Sequence, residues 1–393
     1  MSPNSKLQKL VPLLLDWFAA NARDLPWRRT HDPYAIWVSE IMLQQTQVKT
    51  VIPFWNRWML ELPTIEAAAK APSAKIHKLW EGLGYYTRVR NLQKAAQEIV
   101  KSGKRCEPHR PTAESGNSIC VFPEKFENIL ALPGIGRYTA GAVCSIAFNQ
   151  AVPILDGNVI RVLTRIFGIA ENPKEKRTNA QLWQMAEELV CRAKDAKNSK
   201  EKEPSSPSRP SREIYACSHL NQSLMELGAL ICTPRSPQCG ICPLKQLCVA
   251  FKENRTEELP NLGKREAATA RRFVAFVAER NGRFLVRQRR PGVVNAHLWE
   301  FPNVETNDTN PSPQEIFESE FGSAPKEFLP LITLKHSITR YRITLEAFAV
   351  RLKKANAKTD GFWKTPAQMR RLAFTSAHKR LASIATNRIL SDR

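Results

Sequence analysis

The stretch Cys232–Cys248, CTPRSPQCGICPLKQLC, sets four cysteines in 17 residues at spacings C-x6-C-x2-C-x5-C. Thiolates this close in sequence cannot all avoid one another, and a metal is the usual resolution. Only Cys239 and Cys242 form a C-x2-C pair, whereas zinc modules usually offer two close pairs. The spacing alone leaves a zinc ion and a four-iron cluster both open. A metal of either kind would order a loop that the chain could not order by itself. Arg235 and Lys245 would then project from a fixed surface, either toward phosphates or simply into water.

The rest of the composition is that of an intracellular globular chain. Its 393 residues are enough for two or three domains, and a hydrophobic content of 42% is ordinary. The other five cysteines are scattered, which argues against a secreted disulfide scaffold. Cys144, in AGAVCSIAF, reads as a core thiol. The 59 Lys+Arg against 37 Asp+Glu leave a charge of +22, which points to a polyanionic partner, nucleic acid first, with a merely soluble basic protein or a membrane-surface binder as the plainer alternatives. No apolar run reaches the length of a membrane span. The N-terminus, with Val11, Leu14, Leu15 and Phe18 on one helical face, reads as a mature amphipathic helix and not a signal peptide.

Residues 1–250 read as a mostly helical domain, with periodic stretches at 34–60, 90–101, 138–149 and 158–167 divided by Pro and Gly. Two polar, irregular stretches interrupt it at 103–122 and 194–213, the second a mobile insertion by composition. A linker is expected at 251–270. The pattern then changes period. RFVAFVAER and RFLVRQRR flank Asn281-Gly282, a β-hairpin signal, and Tyr341–Val350 alternates again. Residues 271–393 therefore read as a separate α+β domain.

Two carboxylates stand out. Within YAIWVSEIML (34–43) only Ser39 and Glu40 are strongly polar. A Glu in an apolar helix is costly unless paired or at an edge, and desolvation would raise its pKa toward that of a proton donor at neutral pH. A helix-edge Glu paired with Arg28 or a lysine is the plainer alternative. Asp156, in PILDGNVIRVLTR (153–165), sits where a helix starts. An N-cap explains it, and helix N–H groups would also favour its ionised form. Two carboxylates with separated pKa values are what glycosidic bond cleavage requires: one protonates the leaving group, the other stabilises the sugar cation. LPGIGRYTAGAV (132–143) is a tight turn opening a helix, where Gly134 and Gly136 allow close backbone approach to a phosphate, with Arg137 beside them.

These segments carry a resemblance. The 6-2-5 cysteine loop resembles the cluster loop of the endonuclease III superfamily of DNA glycosylases, and LPGIGRYTAGAV resembles the helix-hairpin-helix of that superfamily, here near 130–143. Together with DLPWRRTHDPYAIWVSEIMLQQTQVKTV (24–51), LWEGLGYYTRVRNLQKAA (79–96), PILDGNVIRVLTR and NQSLMELGALICTPRSPQCGICP (221–243), they resemble the adenine DNA glycosylase family, in family order. The implied fold is multidomain: a mostly α helix-hairpin-helix glycosylase domain with an iron–sulfur loop, then an α+β Nudix-like domain.

The resemblance implies a [4Fe–4S] cluster on Cys232, Cys239, Cys242 and Cys248. It implies that Glu40 protonates adenine at N7 and later activates water, and that Asp156 stabilises, or transiently bonds to, the anomeric carbon. Tyr138 and Asn158 would support that site, and Arg28 would lie near Glu40. Gln45 and Tyr85 would wedge into the base stack beside a flipped adenine, although Tyr85 and Tyr86 could equally be core aromatics after a Gly turn. Where lyase relatives carry a lysine, this chain has Tyr138, so hydrolysis without strand cleavage is implied. The C-terminal domain resembles Nudix hydrolases through FLVRQRR and LWEFPN. It lacks clustered glutamates in Nudix-box form after Glu300, so it is expected to read a base. In the family that base is 8-oxoguanine, read by a Phe-Ser-His loop. Here Ile338, Thr339 and Arg340 stand there, keeping a hydroxyl but replacing His by Arg.

The expected activity is removal of adenine mispaired with 8-oxoguanine or guanine in double-stranded DNA, by a monomer in a bacterial cytoplasm, associated with the nucleoid. The alternatives are an endonuclease III-like glycosylase and lyase acting on oxidised pyrimidines, which Tyr138 opposes, and a non-catalytic iron–sulfur DNA-binding protein, which would not require both carboxylates.

Overall fold

A computed structural model describes residues 3–102, 122–200, 216–264, 266–307, 311–322, 324–338, 340–352 and 360–391. Thr339 and nearly all of the stretch expected to be irregular at 103–122 lie outside the described residues. The chain divides into two compact units, Met1–Lys70 with Asn91–Arg265, and Ala71–Arg90 with Glu266–Arg393.

The first unit is helical. In chain order its helices are α1 (Pro3–Asn21), α2 (Pro33–Leu43), α3 (Val48–Glu61) and α4 (Ile65–Lys70). Helix α5 (Ser73–Leu79) lies in the segment that groups with the second unit, and α6 (Thr87–Ser102) runs out of that segment. Then come α7 (Phe126–Leu130), α8 (Arg137–Phe148), α9 (Gly157–Phe167), α10 (Lys176–Lys200), α11 (Ala216–Leu230) and the short α12 (Val249–Lys252). In α1, Val11, Leu14 and Phe18 are buried and Leu15 packs partly against the core. The single periodic stretch read at 34–60 is two helices, broken at Gln44–Gln47, where Gln45 takes φ 57°. Helix α10 continues into 194–200, the start of the stretch expected to be irregular.

Helices α1, α8, α9, α10 and α11 enclose one core. In α9, Val159, Val162, Leu163 and Ile166 bury the i, i+3, i+4, i+7 stripe of an amphipathic helix. Helices α7 and α8 form the helix-hairpin-helix. Gly134 turns it at φ 77°, and a Cβ there would meet the Asn91 side chain at 2.6 Å, so only glycine fits.

Among the described residues the second unit holds seven strands: β1 (Thr269–Arg280), β2 (Arg283–Gln288), β3 (Trp299–Glu300), β4 (Asn303–Thr306), β5 (Glu327–Ile338), β6 (Tyr341–Arg351) and β7 (Phe362–Lys364). The sheet order is β3-β2-β1-β6-β5, with β4 on β1 and β7 on β2. Asn281 and Gly282, both at positive φ, turn the β1–β2 hairpin, pairing Arg280 with Arg283. The sequence reading expects alternation through β1, but Val274–Ala278 are all buried. Ala275 and Val277 face one apolar cluster, Val274, Phe276 and Ala278 another, because the strand is central and covered on both sides. Helix α13 (Pro313–Phe321) contributes Phe317 and Phe321 to the second cluster. Its glutamates are locally engaged: Glu315 closes a capping box, Glu318 accepts from Gln314, and Glu320 pairs with Arg287. Helices α14 (Pro366–Arg370) and α15 (Ser376–Ser391) complete the unit.

Candidate active site

Asp32 caps α2, its side chain accepting from Tyr34 N at 2.9 Å with Pro33 in the first turn. The helix is so deeply set that residues Tyr34–Met42 are all buried, Glu40 at 5% exposure. Glu40 is therefore not at a helix edge. Its Oε2 accepts a hydrogen bond from the Tyr138 hydroxyl at 2.8 Å. Burial pushes the carboxyl up to about 7; the Tyr138 hydrogen bond and the Arg28 charge oppose this, and the Asp156 charge adds to it. The Tyr138 oxygen also lies 3.1 Å from Met225 Sδ.

Asp156 caps α9. Its Oδ1 accepts from Val159 N at 2.7 Å and its Oδ2 from Asn158 Nδ2 at 2.8 Å. Burial raises its pKa, against the pull of these donors and of Arg161. The sequence reading expects the helix N-terminus to dominate here; instead desolvation is the larger effect. Arg161 fixes Asn158 from behind, donating to its Oδ1 at 2.8 Å and to Gly228 O at 2.7 Å. A Cβ on Gly228 would meet Asn158 Cβ at 2.6 Å, so α11 approaches α9 this closely only because residue 228 has no side chain.

Arg28 does not hydrogen-bond Glu40. It donates to Glu226 through both terminal nitrogens, at 3.0 and 2.9 Å, and through Nε to Gln222 at 3.0 Å. Arg23 binds the same carboxylate at 2.8 and 2.7 Å. Burial would raise the Glu226 pKa, yet the hydrogen bonds from Arg23 and Arg28 outweigh it and hold the group at about 2. Arg28 and Glu226 line one cavity of about 550 Å³ together with Glu40, Tyr138, Asp156 and Asn158, within the range of small-ligand sites. Gln45 and Met225 also line it.

The other candidates fall elsewhere. Gly136 caps α8 with open space where a Cβ would stand, and Arg137 stacks 4.0 Å over the Trp183 ring. Tyr85 and Tyr86 part company: Tyr86 is buried at 3% exposure, whereas Tyr85 is 42% exposed at φ 49°. Arg340 donates to the Tyr341 hydroxyl.

The four clustered cysteines line one pocket beside Arg165 and Leu244. Cys232, Cys239 and Cys248 all lie near enough to act electrostatically on Cys242, and a four-iron cluster takes one thiolate per iron from such a set. Burial first, and the neighbouring cysteines with it, raise the thiol pKa of Cys239, Cys242 and Cys248, that of Cys242 to about 11. Four thiolates can share this pocket only with cationic charge among them, which suits an iron–sulfur group. Arg165, buried, donates to Cys232 Sγ at 3.4 Å and Thr233 O at 2.8 Å, and Arg161 Nε donates to Cys232 O at 2.7 Å. The hydrogen bonds thus run from the cysteine loop through Arg161 and Asn158 to Asp156. Sequence reasoning passes over Arg161, Arg165 and Glu226. Their signal is the one that singles out Glu40: a charge inside an otherwise apolar helix.

Three family models match the chain. Residues 38–188 match the HhH-GPD superfamily base excision DNA repair protein, residues 232–248 the iron-sulfur binding domain of endonuclease III, and residues 273–383 a NUDIX domain. The adenine DNA glycosylase of Rattus norvegicus is 32% identical over 428 residues, an alignment covering 94% of this chain and 76% of the rat protein. The adenine DNA glycosylase of Arabidopsis thaliana is 36% identical over 344 residues, covering 77% of this chain, and the chain spans about half of it, 49%. Among solved structures, a thermostable thymine-DNA glycosylase matches at a TM-score of 0.50 and 27% identity, covering 64% of this chain and 98% of its own. The iron-sulfur model falls on the loop itself, so Cys232, Cys239, Cys242 and Cys248 are the residues that would hold the [4Fe–4S] cluster. With one relative aligned along 94% of this chain and 76% of its own length, the chain belongs to the adenine DNA glycosylase family of enzymes.

Proposed function

We propose that this chain hydrolyses the N-glycosidic bond of adenine paired with 8-oxoguanine or guanine in duplex DNA, by flipping the nucleotide and without cutting the strand. The observation that carries the reading is that Glu40 and Asp156 line one cavity, both raised by burial but differently partnered: Glu40 accepts from one phenol, Asp156 from an N–H donor on each oxygen. Tyr138 occupies Oε2 of Glu40, which leaves Oε1 to carry the proton. That proton passes to N7 of adenine as the C1′–N9 bond breaks and its electron pair stays with the base. Asp156, with donors on both oxygens, is the group that holds a negative charge against the sugar cation; a neutral Glu40 nearby favours that ionisation. The Glu40 carboxylate then takes a proton from water as its oxygen bonds to C1′, which regenerates the acid. The cluster, when bound, orders the loop at residues 232–248.

Hydrolysis without strand cleavage is supported by Tyr138, a half-buried tyrosine whose phenol desolvation pushes well above its ordinary pKa. It has no amine with which to form a Schiff base. Gln45 and Tyr85 serve as wedges, and Gly134, Gly136 and Arg137 meet the DNA backbone; the Thr339 hydroxyl is the group assigned to recognition of 8-oxoguanine. The charge of +22 supports work on DNA. Among the described residues no helix is long and apolar enough to cross a membrane. The test is incubation with duplexes carrying adenine opposite 8-oxoguanine, adenine opposite thymine, and thymine glycol. Adenine release from the first without alkali-independent strand breaks is expected. Release from thymine glycol with strand cleavage would favour the lyase, and binding with no release the non-catalytic alternative.

A further inference from the structure

The Tyr85 turn belongs to the compact unit that contains the β-sheet. Gly82, Gly84 and Tyr85 all take positive φ, at 117°, 73° and 49°. The turn is held internally: Trp80 Nε1 and Arg88 Nη2 both donate to Gly84 O, and the Arg88 guanidinium lies over the Tyr85 ring. Its buried ionic tie to the rest of the unit is Glu81, 6% exposed. Glu81 Oε1 accepts from Phe374 N at 2.9 Å, and Oε2 meets Lys78 Nζ at 2.8 Å and Lys379 Nζ at 3.0 Å. Lys78 also donates to Leu372 O at 2.8 Å, and Arg90 to Ala296 O at 3.2 Å. A buried carboxylate with a backbone donor and two ammonium partners is costly to displace. It lies only a few residues before an exposed, strained aromatic.

We propose that Glu81 is a positioning residue that locks the Tyr85 turn to the sheet-containing unit, so that what this unit binds sets where Tyr85 enters the base stack. The inference rests on the proposed glycosylase function and adds to it a device for specificity. The base read by the sheet unit and the wedge beside it move as one body, and binding energy gained at the lesion is delivered at the wedge. A misplacement of about 1 Å in such a part can cost on the order of 100-fold in rate.

Adenine release under single-turnover conditions separates this from a merely structural role. The comparison uses duplexes with adenine opposite 8-oxoguanine and opposite guanine, with 2-aminopurine beside the mispair as a stacking probe. Glu81→Gln should slow release opposite 8-oxoguanine roughly 10- to 100-fold and opposite guanine much less, so the preference collapses. The 2-aminopurine signal on binding should fall as well. Lys379→Met, at a side chain that is 55% exposed, should shift both readouts the same way without threatening the fold. Tyr85→Ala combined with Glu81→Gln should be no worse than Tyr85→Ala alone. Wild-type preference in both single variants, equal slowing on both duplexes, or independent multiplication of the Glu81 and Tyr85 effects would each overturn the proposal. A wild-type protein that releases no adenine from any duplex would instead remove the glycosylase function, and this inference with it.

Discussion

The Tyr138 hydroxyl donates to Glu40 Oε2 across 2.8 Å, joining α8, the second helix of the helix-hairpin-helix, to the buried acid of α2. This bond stabilises the carboxylate and so restrains the upward push of burial on Glu40. A general acid acts only while protonated, so activity should fall as pH rises through about 7. Tyr138→Phe removes the restraint, and the alkaline limb of the pH–rate profile should move to higher pH. Single-turnover rates from pH 5 to 9 on an 8-oxoguanine duplex measure it; an unmoved limb, or one moved downward, contradicts the assignment.

The same carboxyl burdens the fold. In the unfolded chain Glu40 titrates near 4.5, in the folded chain at about 7, so the native state binds more protons between those values. Stability is therefore unaffected below pH 4.5, declines through the interval, and stays reduced above 7, by up to about 3 kcal/mol. Glu40→Gln should be more stable than the parent at pH 8 and equal to it near pH 4, as read by urea midpoints. Equal midpoints at both pH values would show that Glu40 is not desolvated.

Glu226 runs the opposite way. Its folded pKa of about 2 lies below the ordinary value of 4.5, so its pairing stabilises the fold above pH 4.5 and is lost as pH falls toward 2. Glu226→Ala leaves Arg23 and Arg28 without their shared partner and should cost about 3–5 kcal/mol at neutral pH. Denaturant unfolding at pH 7 checks this; a cost under about 1 kcal/mol would mean the group behaves as an exposed surface pair.

Cys242→Ser should release iron, measured by chelator assay on the purified protein, lower the melting temperature and weaken duplex binding, because the loop loses the group that orders it. Arg165→Met should keep iron at first but lose it faster to a chelator, since Arg165 holds Cys232 and Thr233 from the α9 side. Iron retention equal to the parent in both variants would contradict the assignment of the loop.

What the sequence reveals and what it hides divide along contact range. Local signals are legible: the cysteine spacing, the Asn281-Gly282 turn, the Asp156 cap and a lone acid in the apolar helix at Glu40. Long-range partners are not. Glu226 meets Arg23 and Arg28 across some 200 residues, and nothing in the periodicity of α11 names them. Glu81 likewise meets Phe374 and Lys379 at the far end of the chain, so the grouping of Ala71–Arg90 with the sheet is invisible to a reading that runs along the chain. β1 reads as alternating only when one face is assumed to be solvated, and helices and strands cover both.

The most direct measurement is a comparison of the parent and Glu40→Gln on one duplex with adenine opposite 8-oxoguanine, following binding and base release separately. Affinity should change by less than about tenfold, while release should drop by roughly 10²- to 10⁴-fold, the usual contribution of a positioned acid. Release at the parental rate by a Gln at position 40 would end the case for Glu40 as the proton donor.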